Sequence, residues 1–442
     1  MSAELTDVAL IQRLYRMELF NLKDKSEAVS FSEAVVKGIG KDQGLFFPDK
    51  IVPLDNVDAL LDLPLVERSQ KILRHLIGDE IPELEAIIAD AFTFKAPIVK
   101  ADDNVYALEL FHGPTLAFKD FGARFMARVL GAVRGDKKLT IITATSGDTG
   151  AAVADAFYDQ NGIDVVVLYP KGKISELQEK LIATLGKNIH AVQVEGIFDQ
   201  CQDMVKAAFD DEDFKKRIGL NSANSINISR LLAQVSYYFE AVSQLPKEKR
   251  EKVVFSVPCG NFGNLTAGLI AKALGLKARF VISCNVNDTV PRYLKSGKWE
   301  PKDTIATLSN AMDISRPNNW PRVEALIKMQ GWSKDDFAYG SMTDDETRRT
   351  MKKLHDKTGY ILEPHAAIAY QILSDNLKEG ETGIFLGTAH PAKFKSDVDS
   401  ILGIDLALPE ALSSKVSAQS KAVVLKPDYN TLKDYVLKEL GL

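Results

Sequence analysis

Cysteines, long apolar runs and excess positive charge are all scarce in this sequence, and each scarcity excludes a class of protein. The 442 residues contain three cysteines, Cys201, Cys259 and Cys284, at no spacing typical of a metal site. So few thiols, odd in number, indicate a reducing compartment rather than a disulfide-stabilised secreted protein. No stretch of about 18 apolar residues predicts a membrane span, and no basic segment followed by an apolar run predicts a secretory signal. We therefore expect a cytoplasmic protein that binds neither a membrane nor a metal ion.

The charge balance argues against a nucleic-acid partner. Lysine and arginine total 55 and aspartate and glutamate total 60, so the formal net charge is -5. Proteins that bind nucleic acids through the phosphate backbone usually carry a basic excess. The length and the ordinary share of hydrophobic residues, 45%, predict a globular protein of two or three domains.

Short apolar runs alternate with amphipathic segments from about residue 104 onward. Examples of the runs are LTIITA (139–144), IDVVVLYP (163–170) and KVVFSV (252–257). Such runs are typical of strands covered on both faces, and the amphipathic segments between them are typical of the covering helices. The pattern predicts an α/β fold of open, mostly parallel sheets flanked by helices. In such folds ligands bind at the carboxyl ends of the strands, so we expect a site in the loops that follow the apolar runs.

Local composition and hydrophobic pattern divide the chain into four segments. Residues 1–16 precede a plausible second start at Met17 and form an N-terminal extension. Residues 17–100 contain short helical patterns broken by prolines, such as SFSEAVVKGIG with a serine at the N-cap position, and predict a small α-rich N-terminal domain. Residues 101–403 form the α/β region, in two subdomains, and residues 404–442 form a polar C-terminal packing segment.

The loop FHGPTLAFKDF, residues 111–121, places Lys119 between Phe118 and Phe121. An apolar environment lowers the pKa of a lysine and leaves more of it as a free amine that can attack a carbonyl. An isolated lysine is more often a surface residue whose stem covers aromatic rings. Within this string, we interpret Lys119 as a reactive amine.

Two glycine-rich loops offer sites for anions. TATSGDTGAAVA (143–154) and VPCGNFGNLTAG (257–268) each lead from a strand into a helix, where free backbone N–H groups can cradle a carboxylate or a phosphate. Gly260 and Gly263 would let the backbone approach a ligand closely. The first loop is neither a Walker A loop nor a G-x-G-x-x-G motif. The alternative is that each loop is only a structural turn that caps its helix.

Two further loops carry dense polar side chains. NSANSINISR (221–230) ends in Arg230 just before an apolar helix, and FLGTAHPAKF (385–394) contains Thr388 and Lys393. A solvated loop with helix caps would need only two such residues. The first of these loops carries more, which favours a ligand site. Three histidines in or near the loops fit packing or capping as well as catalysis: His112, His365 and His390.

Together these loops supply the parts that a pyridoxal phosphate (PLP) enzyme requires. A reactive lysine would form a Schiff base with the cofactor, one glycine-rich loop would hold the cofactor phosphate, and a second loop would orient the substrate. The sequence contains no Ser-His-Asp string and no histidine–cysteine cluster that would favour another chemistry.

Five strings, in order along the chain, resemble the threonine synthase family in its bacterial and fungal branch. They are HGPTLAFKDFG, TATSGDTGAA, NSANSINISR, GNFGN and GTAHPAKF, and the resemblance extends over about residues 17–402. It implies the fold of the tryptophan synthase β subunit, known as PLP fold type II. It also implies a PLP-dependent carbon–oxygen lyase that acts on a phosphate ester.

The resemblance implies a role for each matched residue. Lys119 matches the lysine that carries PLP, residues 260–264 match the loop that binds the cofactor phosphate, and Thr388 matches the residue that meets the pyridine nitrogen. Arg230 is expected to bind the substrate phosphate, because arginine suits bidentate phosphate recognition. The matched cofactor-binding residues are Lys119, Gly260, Asn261, Phe262, Gly263, Asn264 and Thr388. The matched substrate-binding residues are Thr115, Ser146, Gly147, Asp148, Thr149, Asn224, Asn227 and Arg230.

The implied reaction converts O-phospho-L-homoserine and water to L-threonine and phosphate, the last step of threonine biosynthesis from aspartate. Three alternatives stay open at this point. The chain could be another fold type II enzyme, such as a dehydratase or a cysteine synthase. It could be a PLP-binding protein without activity, or a module that binds phosphate esters without PLP.

Overall fold

The computed structural model describes residues 17–145 and 147–442, so the predicted extension of residues 1–16 lies outside the described part of the chain. In chain order the strands are β1 (Glu18–Asn21), β2 (Ala28–Ser30), β3 (Phe46–Pro48), β4 (Ile98–Asp102), β5 (Val105–Glu109), β6 (Leu139–Ala144), β7 (Ile163–Pro170), β8 (Ile189–Val194), β9 (Leu220–Asn221), β10 (Val253–Pro258), β11 (Ala278–Cys284), β12 (Ala338–Ser341), β13 (Thr382–Gly387) and β14 (Val423–Leu425).

The α-helices between these strands are α1 (Phe31–Lys37), α2 (Val57–Leu61), α3 (Leu65–Ile77), α4 (Leu84–Ala91), α5 (Lys119–Val133), α6 (Asp148–Phe157), α7 (Glu176–Ala183), α8 (Phe198–Asp210), α9 (Glu212–Ile218), α10 (Ile228–Ser243), α11 (Gly263–Ala273), α12 (Thr289–Ser296), α13 (Trp320–Gln330), α14 (Asp344–Thr358), α15 (Pro364–Asn376), α16 (Lys395–Leu402), α17 (Glu410–Ser413) and α18 (Tyr429–Glu439).

The N-terminal part combines helices α1 to α4 with an antiparallel sheet in the order β2-β1-β3. Helix α1 begins at a capping box in which Ser30 and Glu33 each accept a hydrogen bond from the other's backbone N–H group, and it ends at Gly38. The sequence predicted these helices but not the sheet. Its strands have three or four residues each, too few for a recognisable alternation of apolar and polar positions.

The larger of the two remaining sheets has six strands in the order β12-β11-β10-β13-β5-β4. All neighbouring pairs are parallel except β4 and β5, which form an antiparallel edge. Every residue of β10 and β13 is buried, because helices cover both faces of the sheet. This accounts for the continuous apolar runs in the sequence.

The other sheet is parallel and has the order β14-β8-β7-β6-β9. The predicted C-terminal packing segment supplies its edge strand β14, and helix α18 of the same segment packs on α8. The described residues therefore confirm the predicted α/β class of mostly parallel sheets flanked by helices. In the described part of the chain, no helix is both long enough and apolar enough to cross a membrane.

A single cavity collects loops from both sheets. Its walls include residues that follow β5 and β13 of the six-stranded sheet, and residues that follow β6 and β9 of the five-stranded sheet. The loop after β10 forms another wall. These are carboxyl ends of strands, where the sequence predicted a site.

Candidate active site

The lysine loop connects β5 to α5 and is fixed next to α5 by hydrogen bonds. Asp120, in the first turn of α5, accepts hydrogen bonds from Thr115 N at 2.9 Å and Thr115 Oγ1 at 2.5 Å. The backbone N–H of Phe118 donates to the carbonyl oxygen of Thr388 at 2.9 Å. Lys119 follows directly as the first residue of α5, so its position is set by two strands of the same sheet.

Lys119 is largely buried and faces the cavity. Burial lowers its pKa to about 8, and the nearby cations Arg230 and Lys393 lower it too, against the opposing effect of Asp148. A lysine with this pKa is a free amine in a useful fraction of molecules near neutral pH. It can therefore act as a nucleophile and as an acceptor of protons.

The loop after β10 forms a cradle of backbone N–H groups. Helix α11 begins at Gly263, and the preceding Phe262 adopts a left-handed conformation with φ of 61°. Among the described residues, no hydrogen-bond partner exists for the amides of residues 260–264, which all line the cavity. A Cβ atom at Gly260 would lie 2.7 Å from the carbonyl oxygen of Ala311, so only glycine fits there.

Ser225 stands beside this cradle and has a hydroxyl group whose proton is available to a ligand. Its Oγ accepts hydrogen bonds from Asn261 Nδ2 at 2.7 Å and from Asn319 Nδ2 at 3.0 Å. Two accepted hydrogen bonds occupy both lone pairs of a hydroxyl oxygen and leave its O–H to donate elsewhere. Since Ser225 lines the cavity, that donation can be directed to a bound anion.

Arg322 organises this side of the cavity without entering it. The side chain is fully buried, and its guanidinium group donates to the carbonyl oxygens of Phe46, Ser225 and Ile226 and to Asn319 Oδ1. It therefore connects β3 of the N-terminal sheet to the turn that carries Ser225. The string RPNNWPR, residues 316–322, contains both Asn319 and Arg322, but the sequence analysis did not identify it. Its two asparagines between prolines were the feature of the sequence that could have indicated a functional loop.

Arg230 lies at the start of α10 with part of its hydrogen-bonding capacity unused. One terminal nitrogen donates to the carbonyl oxygen of Ala223, while Nε is buried without a partner among the described residues. Burial lowers the pKa of Arg230 to about 10, so it stays charged at neutral pH. Helix α10 packs closely on α5, the helix that begins at Lys119. A Cβ atom at Gly122 of α5 would lie 3.1 Å from Arg230 Nε, so Arg230 lies near Lys119.

The loop after β6 places Asp148 and Thr149 in the wall of the cavity. Thr145 Oγ1 accepts hydrogen bonds from the N–H groups of Gly147 at 3.0 Å and Gly150 at 2.9 Å, which shapes the turn. Gly147 has a φ of 138° that other residues rarely adopt. The predicted residue Ser146 lies outside the described residues.

His365 lines the cavity, and its hydrogen bonds fix its tautomer. Ala311 N donates to Nε2 at 3.2 Å, so the ring proton is on Nδ1 and is shared with Glu363 Oε2 at 2.5 Å. His112 and His390 are absent from the described cavity walls. His112 pairs with Glu109, and burial lowers the pKa of His390 to about 4.

The chain matches known families over almost its whole length. The profile of the pyridoxal-phosphate dependent enzymes matches residues 92–386, the threonine synthase N-terminal profile matches residues 20–92 and the threonine synthase C-terminal profile matches residues 366–436. Threonine synthase of Haemophilus influenzae is 64% identical over 425 residues, which cover 96% of this chain and 100% of the relative.

The chain belongs to the threonine synthase family. The crystal structure of threonine synthase from Escherichia coli has a TM-score of 0.93 at 56% identity, over 96% of this chain and 100% of that one. PLP-bound threonine synthase from Brucella melitensis has a TM-score of 0.88 at 33% identity, over 95% of this chain and 98% of that one. These similarities confirm the predicted family, the type II fold, the dependence on PLP and the lyase class.

The donor set fits the cofactor of the threonine synthase family. PLP requires a lysine for its aldehyde and several donors for its phosphate dianion. Lys119 supplies a largely buried amine of lowered pKa, and the amides of residues 260–264 supply donors at a helix N-terminus that have no partner in the described part of the chain. The same cavity therefore carries both attachments.

Most predicted site residues meet in this cavity, and a few do not. The predicted residues that line it are Lys119, Asp148, Thr149, Asn224, Arg230, Gly260, Asn261, Phe262, Gly263, Asn264 and Thr388. The side chain of Thr115 is instead bound to Asp120, and Gly147 is not part of the cavity wall. Asn227 caps α10 and donates to the carbonyl oxygen of Val35, so it holds the N-terminal domain rather than the cavity.

Proposed function

We propose that this enzyme converts O-phospho-L-homoserine and water to L-threonine and inorganic phosphate, in the cytoplasm, with Lys119 as the residue that carries PLP. The observation that supports it most is that one cavity is lined by a largely buried amine and by two separate groups that suit an anion. These groups are the amides of residues 260–264, which have no hydrogen-bond partner among the described residues, and the cationic side chain of Arg230. One group suits the phosphate of the cofactor and the other suits the phosphate of the substrate.

Lys119 would hold the cofactor at its aldehyde carbon, residues 260–264 would hold its phosphate, and Thr388 would stand beside its ring nitrogen. When bound, PLP provides a sink for the electron pair left at the substrate Cα. A threonine hydroxyl, unlike a carboxylate, does not stabilise a proton on the ring nitrogen. The position of Thr388 next to the lysine loop supports this assignment, because its carbonyl oxygen binds Phe118 N.

Lys119 would carry the protons of the reaction. Its amine would take the proton from Cα and, after releasing that proton, the proton from Cβ as phosphate departs from Cγ. It would then return a proton to Cγ, the hydroxyl group of water would add at Cβ, and a last proton would return to Cα. A group with a pKa of about 8 can both accept and release protons near neutral pH, which suits Lys119 for this role.

Arg230 and Ser225 would bind the phosphate ester of the substrate. Arg230 brings a positive charge to the wall of the cavity, and Ser225 brings a hydroxyl proton that its two amide neighbours leave available. Asn224 lies in the same wall, where its Oδ1 accepts a hydrogen bond from Thr143 Oγ1 at 2.6 Å. One charged group together with several neutral donors can bind the phosphate of the substrate and still let the phosphate product dissociate.

The loop between β6 and α6, of which the structure describes Thr145 and residues 147–149, is here called the anion loop and would receive the substrate carboxylate. It joins β6 to the N-terminus of α6, where backbone N–H groups and the helix dipole favour a negative charge. Thr149 adds a hydroxyl group that lines the cavity. Thr115, Gly147 and Asn227 would act by shaping the loops that carry the contacting groups.

The absorbance spectrum of the purified protein, followed by O-phospho-L-homoserine and assays of phosphate and threonine, tests the proposal. We expect a visible band of lysine-bound PLP that responds to substrate, and equal amounts of both products. Lys119→Ala would lose the band and the turnover, whereas Lys71→Ala, an exposed lysine on α3, would keep both. Threonine formation by the Lys119→Ala variant would contradict the assignment. A band without turnover would favour another enzyme of the same fold.

A further inference from the structure

An aspartate within the anion loop requires an explanation. The proposed function brings the substrate carboxylate to residues 145–149, yet Asp148 lies in this loop, is buried and contributes to the wall of the same cavity. Two like charges in one buried site disfavour each other's ionised form. A substrate carboxylate can bind there only if the charge of Asp148 is cancelled from within the protein.

Lys393 provides the cancelling charge. Its side chain is 0% exposed, and its Nζ lies 2.6 Å from Oδ1 of Asp148. The same ammonium group donates to the carbonyl oxygen of Thr115 at 2.9 Å. Gln178 Nε2 donates a further hydrogen bond to Asp148 Oδ1 at 3.2 Å. The carboxylate of Asp148 is thus held by an ammonium group and an amide.

The ammonium group of Lys393 joins three loops from two sheets. Lys393 itself follows β13, Thr115 belongs to the lysine loop after β5, and Asp148 belongs to the anion loop after β6. The backbone of Lys393 is also anchored, because its carbonyl oxygen accepts a hydrogen bond from Ser175 Oγ at 3.2 Å. A fixed lysine in this position sets the distance between the loop that carries Lys119 and the loop proposed to receive the substrate.

The charges around Asp148 keep its carboxylate ionised. Burial by itself would raise the pKa of Asp148, but the positive charges of Lys393 and Lys119 outweigh this, and the pKa lies well below its usual range. Asp120 is the other carboxylate that interacts with Lys393, and it is occupied by Thr115. Asp148 is therefore a carboxylate at neutral pH, with Nζ of Lys393 2.6 Å away.

We infer that Lys393 is a positioning residue for the reaction: its ammonium group cancels the charge of Asp148 and holds the anion loop against the lysine loop, so that the anion loop can receive the substrate carboxylate. The inference rests on the proposed function. Lys393 is not among the described residues that line the cavity, so it acts through Asp148 and Thr115 rather than on the substrate itself.

A purely structural ion pair would behave differently. It would lose folding stability when either partner is removed, and removing both would not restore substrate binding. The positioning role instead makes the unpaired carboxylate of Asp148 the harmful group. If residue 393 is already neutral, replacing Asp148 by a neutral residue as well should improve substrate binding. This is expected although the second substitution removes another native side chain.

The experiment compares Lys393→Met, Asp148→Asn and the double variant, with KM and kcat for O-phospho-L-homoserine and the Kd for PLP. The matched control is the exposed pair Lys352 and Asp356 on α14, in which both side chains are 57% exposed. It receives the same changes, Lys352→Met, Asp356→Asn and both together. Exposed pairs of this kind contribute little, so each control variant should stay within about twofold of the wild type.

For Lys393→Met we expect KM to rise by at least about tenfold, with PLP affinity nearly unchanged, since an uncompensated buried charge repels the substrate carboxylate. In the double variant, KM should return most of the way to the wild-type value. Lys393→Arg keeps the charge and should remain within about fivefold of the wild type in KM.

The inference is overturned if Lys393→Met has the KM of the wild type, or if the double variant has a KM as high as Lys393→Met. Should Lys393→Met fail to fold, the neutral double variant decides: a KM within about tenfold of the wild type supports the inference, and a higher KM with PLP bound overturns it. A wild-type enzyme that releases no phosphate from O-phospho-L-homoserine would overturn the proposed function, and this inference with it.

Discussion

Two nitrogen atoms of Arg322 donate hydrogen bonds to the carbonyl oxygen of Phe46, at 2.9 and 3.3 Å, although 276 residues separate the two along the chain. The same guanidinium group holds the carbonyl oxygens of Ser225 and Ile226. No carboxylate among the described residues pairs with it, so its charge is balanced by carbonyl dipoles alone. Arg322 therefore links the N-terminal sheet directly to the turn that carries Ser225.

Substitution of Arg322 by lysine should destabilise the protein and weaken the site. A lysine cannot reach all of these acceptors at once and leaves buried carbonyl groups without donors, so we expect the free energy of unfolding to fall by about 2–4 kcal/mol. Urea denaturation measures this. Arg349→Lys, at an exposed arginine of α14, should change it by less than about 0.5 kcal/mol. Equal stability of the Arg322→Lys variant and the wild type would contradict the role given to Arg322.

Substitution of Gly260 by alanine should weaken PLP binding. The added Cβ would lie 2.7 Å from the carbonyl oxygen of Ala311 and 2.9 Å from Cα of Met312, so the loop has to move and its amides lose their common direction. A loss of about 1.4 kcal/mol or more corresponds to at least tenfold weaker binding, which titration of the apoenzyme with PLP would detect. Gly131→Ala provides the matched control, because no atom lies within 4 Å of the new Cβ. Unchanged PLP affinity in the Gly260→Ala variant would mean that the loop tolerates the side chain.

The rate at which PLP attaches to the apoenzyme should rise with pH. Only the unprotonated amine of Lys119 attacks the cofactor aldehyde, and its pKa is about 8 because of burial. The rate should therefore be low at pH 6.5, increase through a midpoint near this pKa and level off above it. Stopped-flow absorbance measures the rate. A midpoint near the usual lysine value of about 10.4 would show that the amine is not perturbed.

Substitution of Arg230 by lysine should affect substrate binding more than cofactor binding. A lysine retains the charge but lacks the Nε donor and the planar fork, so we expect KM for O-phospho-L-homoserine to rise by about tenfold or more. Steady-state assays of phosphate release give KM, and inhibition by added phosphate should weaken in parallel. Arg348→Lys, at a partly exposed arginine of α14, serves as the control. A variant with unchanged KM but weakened PLP binding would reassign Arg230 to the cofactor.

The sequence predicted those parts of the site that lie in continuous strings. Lys119, the cradle of residues 260–264 and Arg230 each occur in a loop with a distinctive local composition, and the alternation of apolar runs placed those loops at strand ends. The fold class followed from the same alternation. Local composition and periodicity indicated these loops, and the resemblance to a known family assigned their residues to roles.

Features that depend on distant contacts could not be predicted in this way. Arg322 and Asn319 act on Ser225 and Phe46 from a segment whose asparagines and prolines indicate a loop but not its contacts, and the pairing of Lys393 with Asp148 joins positions from different sheets. The side chain of Asn227 was expected at the substrate but caps a helix, since cap and ligand residues have the same composition. Three-dimensional proximity alone distinguishes these cases.

The pairing of β5 with β13 has a consequence for synthesis of the chain. Val105 lies opposite Gly383 in this parallel pair, so the strand that leads to Lys119 gains its central neighbour only when nearly nine tenths of the polypeptide has been made. Contacts between such distant segments form slowly, and a nascent chain exposes the apolar faces of β5 and β10 until they do. Almost the entire polypeptide must therefore emerge from the ribosome before the cofactor site can form. Until β13 emerges, the apolar faces of β5 and β10 are the surfaces that chaperones would have to cover.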